Sequence, residues 1–150
     1  MPREENTMAN IQEGGCRCGA ARYEVDLTNA HTLNCHCRDC QQHLGAPFSV
    51  FSVVPASQLK WLKEPAGTVA FSKLANRLFC LFCGTYLKWE GIDTADEAEI
   101  NTMTLDNPSA VSVDEEIFTR SRLAWIKPIE GIPQHKAGRS ASQQPQKAGD

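Results

Sequence analysis

No stretch of this sequence is apolar enough to cross a bilayer as a helix. The longest apolar run spans only Leu78 to Cys83, and a transmembrane helix needs ~20 such residues. Basic excess is missing too: 15 Lys and Arg stand against 18 Asp and Glu, a formal charge of −3. That balance argues against a nucleic-acid partner held by bulk charge. The opening Met-Pro-Arg-Glu-Glu-Asn-Thr is polar and acidic, so it reads as neither a secretory signal nor a mitochondrial leader. A cytoplasmic, reducing compartment is the expectation. Seven cysteines in 150 residues fall short of the ~8–10% density of small disulfide scaffolds. Seven is also odd, so at least one thiol has no internal partner. Closely spaced thiols in a reducing compartment read as metal ligands.

Apolar residues make up 41% of the chain and charged ones 22%, enough for one domain with a core. Residues 1–13 are polar and read as a flexible N-terminus. Residues 134–150 hold almost nothing large and apolar and read as a disordered tail. The folded, zinc-binding domain is then expected over 14–133. Strands are expected at Ala21–Val25, Phe48–Val54, Gly67–Phe71, Tyr86–Glu90 and Ile100–Leu105, set apart by Gly, Pro, Asp and Asn turn signals. Only Arg38–Leu44 reads as helix, a short turn closed by Gly45. The fold class is mostly β, in several small sheets, and so small a β domain calls for metal staples.

The cysteines fall into three groups: Cys16-Arg-Cys18-Gly, Cys35-His-Cys37-Arg-Asp-Cys40 and Cys80-Leu-Phe-Cys83-Gly. The last is a zinc-knuckle half-site, in which two intervening residues let both sulfurs face one ion. Cys16 and Cys18 are its natural complement. The remaining three are Cys35, Cys37 and Cys40. A structural zinc is closed by four protein ligands, whereas a catalytic zinc usually has three and an open fourth position. The arithmetic therefore predicts two zinc ions: a structural one at Cys16, Cys18, Cys80 and Cys83, and a catalytic one at Cys35, Cys37 and Cys40. His36 or His43 would close the second site if either joined it. His31 and His135 read as ordinary surface residues. Glu90, Asp93, Asp96, Glu97 and Glu99 read as a solvated loop, and Trp125 as core. Arg77 reads equally as a structural ion-pair residue or an anion clamp.

Three thiolates on zinc leave a net charge of −1. Such an ion is poorly suited to making hydroxide and better suited to capturing a thiol. A coordinated thiol loses its proton yet stays nucleophilic, and it can attack an aldehyde carbon. The expected chemistry is making or breaking a carbon–sulfur bond on a small thiol.

Three ordered motifs resemble those of a known family. They are Gly14-Gly15-Cys16-Arg-Cys18-Gly19 with Arg22-Tyr23, Cys35-His36-Cys37-Arg-Asp-Cys40 with Gly45-Ala46, and Arg77-Leu-Phe79-Cys80-Leu-Phe-Cys83-Gly84-Thr85. Thr104-Leu105-Asp106-Asn107-Pro108 and Trp125 follow. The resemblance, over about residues 14–133, is to the glutathione-dependent formaldehyde-activating enzymes, which include the centromere-protein-V-like domain. It implies coiled β-sheets of the β-tent type and the same four-plus-three zinc assignment. It also implies a carbon–sulfur lyase that joins glutathione to formaldehyde as S-hydroxymethylglutathione. The family often has Arg after the third central cysteine, and Gln41 stands there. Glutathione carries two carboxylates, for which Arg77, Lys73 and Arg38 are the candidate partners. A non-catalytic glutathione carrier and a zinc-stabilised binding module are the alternative readings.

Overall fold

The computed structural model describes residues 9–64, 66–70 and 73–139. Among the described residues, ten strands form two sheets. The smaller joins β1 (Ile11–Gly15), β2 (Arg22–Asp26) and β5 (Leu59–Lys63) in antiparallel order. The larger contains β3 (His31–Cys35), β4 (Ser49–Pro55), β6 (Ala66–Ala70), β7 (Ala75–Cys80), β8 (Tyr86–Gly91), β9 (Glu97–Asn101) and β10 (Glu115–Ile117). Its order is β10-β3-β4-β9-β8-β7-β6, antiparallel except for the β10–β3 pair. The α-helix among the described residues is α1 (Arg38–Leu44). Gly45 ends it at φ 63°, and its amide donates to the Gln41 carbonyl. Glycine meets that left-handed geometry without a Cβ penalty. The mostly-β class with one short helix is as expected. No described helix is long and apolar enough to cross a membrane.

Alternation along the strands divides the core. On β2, Tyr23 and Val25 are fully buried, and they pack between the sheets against Val54, Ala98, Ile100 and Leu105. Burying side chains of this size stabilises by about 1.5–3 kcal/mol each. Tyr23 also hydrogen-bonds the Thr104 hydroxyl at 2.7 Å, so the phenol is not buried unpaired. Gly14 lies against this ring, and a Cβ there would collide with the Tyr23 hydroxyl and the Thr104 carbonyl. Phe51 and Val53 sit with Leu33, Ile117, Cys35 and Cys40 in a second cluster. Since Val54 belongs to the first cluster, β4 separates the two.

Several expectations are corrected. The strand placed at Ile100–Leu105 is instead β9, Glu97–Asn101, followed by a 3-10 turn over Thr102–Thr104. The Asn101 side chain accepts from the Met103 amide and turns the chain out of the ladder. Glu97 and Glu99 therefore alternate with buried Ala98 and Ile100 on a strand, and both meet Arg139; they are not a solvated loop. Trp125 is 69% exposed and is not core. Residues 11–13 belong to β1, and the segment after Pro133 lies along β10, with the His135 amide donating to the Glu116 carbonyl at 2.9 Å and Phe118 to Ala137 at 2.7 Å. Backbone pairing holds this segment where its composition alone could not. Residues 1–8 and 140–150 of the expected flexible ends lie outside the described residues. His31 and His135 flank the buried Glu115 carboxylate, each at 3.4 Å, rather than standing free on the surface.

Candidate metal centres

The first cysteine group joins the two sheets. Cys16 and Cys18 follow β1 of the small sheet; Cys80 ends β7 of the large one, and Cys83 lies in the turn beyond it. Gly84, at φ 76°, closes that turn through its amide to the Cys80 carbonyl at 2.9 Å. Cys16 and Cys80 are buried beside Ala21 and Leu87. The Cys16–Cys18 sulfurs are 3.5 Å apart and those of Cys18 and Cys80 3.8 Å. All four lie within 4.8 Å of one another. Four sulfurs about 2.3 Å from a tetrahedral zinc stand about 3.8 Å apart, so the group fits zinc. The Ala21 amide donates to Cys16 at 3.2 Å. Thr85 accepts from the Arg17 amide and touches the Cys83 sulfur at 3.2 Å. The Thr85 hydroxyl and amide hold the Cys83 thiol down to about 5.

The second group is local. Cys35 ends β3, Cys37 is the N-cap of α1, and Cys40 lies in its first turn. An N-cap usually offers a side-chain oxygen to the first-turn amides; here the Cys37 sulfur accepts from the Cys40 amide at 3.3 Å. The three sulfurs lie within 4.8 Å of one another, and among the described residues no histidine or carboxylate completes the group. Contacts from the Cys35 and Cys40 thiols, then the Cys40 amide and Arg77, hold the Cys37 thiol down to about 2 against its burial, while the contacts with Cys37 and Cys40 push Cys35 well up. Cys37 is the half-buried member of the three. Three cysteine sulfurs with no fourth protein ligand among the described residues fit the donor set of an open zinc site.

The structure places the other candidates unevenly. Arg77 is buried and acts electrostatically on Cys37 and His43. Arg38 is exposed, and its guanidinium donates to the Gln41 side-chain oxygen at 3.2 Å. Lys73 is exposed before β7. His43 is exposed and stays outside the sulfur group. His36 is fully buried, but its Nε2 lies 2.8 Å from Glu116 Oε1. Gln41 is buried and donates to the His36 and Ser121 carbonyls, both at 3.1 Å. It braces α1 against the chain after β10.

Three residues near the second group have no sequence signal. Glu116, on β10 beside Asn34, is 1% exposed. Besides His36 it accepts from Asn34, the Ile129 amide, Gln134 and Arg122. Burial would raise its carboxyl, but His36, Ile129, Gln134 and Asn34 hold it down to about 2. Ser49 stands opposite Cys35 in the β3–β4 ladder, with its hydroxyl buried. Tyr86 opens β8 and packs on the second core cluster, edge-on to Phe51. An acidic residue or a tyrosine in a short β segment looks the same in sequence whether it faces water or a metal group.

Comparison with known proteins follows this layout. An uncharacterized lyase of Schizosaccharomyces pombe is 27% identical over 105 residues, covering 70% of this chain and 76% of that protein. A Podospora anserina protein, provisionally named a glutathione-dependent formaldehyde-activating enzyme, is 34% identical over 76 residues, covering 48% of this chain but 36% of its own length. A Rhodobacter sphaeroides crystal structure shares the fold, with a TM-score of 0.51 at 20% identity over 81% of this chain and 98% of that one. Residues 11–121, with both cysteine groups, match the family described as glutathione-dependent formaldehyde-activating enzyme, and the chain belongs to that family.

Proposed function

We propose that this protein is a zinc-dependent carbon–sulfur lyase that joins a small thiol, glutathione, to an aldehyde such as formaldehyde, and that it runs the reverse cleavage. The observation that carries this reading is the trio of Cys35, Cys37 and Cys40, which no other described protein ligand completes. Zinc at that group would keep an incoming thiol ionised near neutral pH, where a free thiol of pKa ~8.5 is only a few per cent thiolate. Arg77 supplies buried positive charge beside the group, and Arg38 exposed charge on the first turn of α1. Both suit the carboxylates of glutathione. The Cys16, Cys18, Cys80 and Cys83 group would hold a second, structural zinc that pins one sheet to the other. All seven cysteines are unpaired, which supports a reducing, cytoplasmic location.

Formaldehyde and glutathione also combine without a catalyst, so rate over background is the test. Exchange NMR on an equilibrium mixture of glutathione, formaldehyde and their adduct measures it directly. Acceleration proportional to zinc-loaded protein is expected. Tight glutathione binding with no acceleration would make the protein a carrier.

A further inference from the structure

We infer that Tyr86 is a further catalytic residue, whose hydroxyl donates a hydrogen bond to the aldehyde oxygen as the carbon–sulfur bond forms. The inference rests on the lyase reading above. Tyr86 packs against the cluster built from Cys35, Cys40, Leu33 and Phe51. Its ring stands edge-on to Phe51, with centroids 6.0 Å apart at 83°, and its carbonyl accepts from Asn101 at 3.0 Å. Ring and backbone are therefore both held. Its hydroxyl is buried beside the Arg77 guanidinium, which can only donate, so among the described residues the phenol's own proton meets no acceptor. A buried phenol usually spends its proton on an acceptor. Tyr23, which is fully buried, has one in Thr104. Packing on the cluster that contains Cys35 and Cys40 puts the Tyr86 ring beside the second cysteine group.

The reaction develops charge on oxygen. As the substrate thiolate attacks the aldehyde carbon, the carbon–sulfur bond forms and the carbonyl π bond breaks. Its electron pair moves onto oxygen, which then takes a proton from water; water had received the thiol's own proton. No oxidant or reductant is needed. A fixed donor aimed at that oxygen stabilises the charge without reorganising. Arg77 adds positive charge near Cys37 and Tyr86. Because the hydroxyl is buried, it favours an aldehyde with little bulk beyond the carbonyl.

The test is Tyr86→Phe, which removes the oxygen and keeps the ring against Phe51. Metal content, melting temperature and glutathione affinity should match wild type, while kcat for adduct formation should fall on the order of a hundredfold. Exchange NMR on zinc-loaded protein with glutathione and formaldehyde gives the rate, and calorimetry with glutathione alone gives the affinity. An active wild type with an equally active Tyr86→Phe overturns the role of Tyr86 and leaves the lyase reading standing. A loss of glutathione affinity or metal matching the loss of rate makes Tyr86 structural and overturns its catalytic role. A wild type that never exceeds background overturns both readings.

Discussion

Nε2 of His36 lies 2.8 Å from Oε1 of Glu116, and both side chains are sealed from solvent. The pair ties the turn between Cys35 and Cys37 to β10, so the second cysteine group is shaped from outside its own motif. Glu116→Leu would leave His36, Asn34, Gln134 and the Ile129 amide without their acceptor. Removing one member of such a buried charged network costs about 3–5 kcal/mol, and denaturant melts should show a loss of that size.

The same carboxylate predicts a pH dependence. Glu116 is held below its ordinary 4.5, at about 2. Its stabilising contribution is therefore complete above the ordinary value and is lost as pH falls toward about 2. The stability gap between wild type and Glu116→Gln should be widest near neutral pH and should narrow between about pH 4.5 and 2. A gap that stays constant down to pH 3 would show that the carboxylate is not held down.

The two cysteine groups should respond differently to loss of a ligand. Cys18 and Cys80 are 62 residues apart in sequence, one in the turn after β1 and the other at the end of β7 in the other sheet, so Cys80→Ser releases a long-range staple. Structural zinc in small domains contributes roughly 10–16 kcal/mol of apparent binding energy, comparable to the ~5–15 kcal/mol net stability of a whole domain. Cys80→Ser should be insoluble or unfolded. Cys37→Ser should keep its fold and lose one metal, as read by circular dichroism and metal analysis.

Metal content itself is a test. Protein purified without chelator should carry close to two zinc ions per chain. Graded chelation should strip the three-sulfur group first, since it has fewer ligands. A reproducible value near one, with all seven thiols open to titration, would overturn the four-plus-three division.

Arg77 is buried, so its substitution must spare its packing. Arg77→Met keeps most of the aliphatic stem and removes the charge. Glutathione binding should weaken about ten- to a hundredfold, the size of one charge-assisted contact, with zinc content unchanged. Calorimetry in two buffers of different ionisation heat should count one proton released as the thiol binds. S-methylglutathione binding as tight as that of glutathione would show that the sulfur never reaches the metal group.

Cysteine spacing determined most of what can be read along the chain. Thiols two or three residues apart are held together by local geometry whatever the fold, so the Cys35, Cys37 and Cys40 group and the Cys80–Cys83 turn are legible as they stand. So is α1, because Gly45 marks its end. The strands are less legible where local pattern and pairing disagree. Ile100–Leu105 alternates like a strand, but the Asn101 cap turns it out. Glu97 and Glu99 look like loop residues until Arg139 meets them. Only the tertiary structure decided which distant groups surround the second cysteine cluster. Tyr86 and Glu116 lie far from it in sequence, and β-sheet pairing brings them there. That pairing depends on contacts summed over the whole chain, so no local pattern announces a buried carboxylate or a tyrosine packed beside the cysteines.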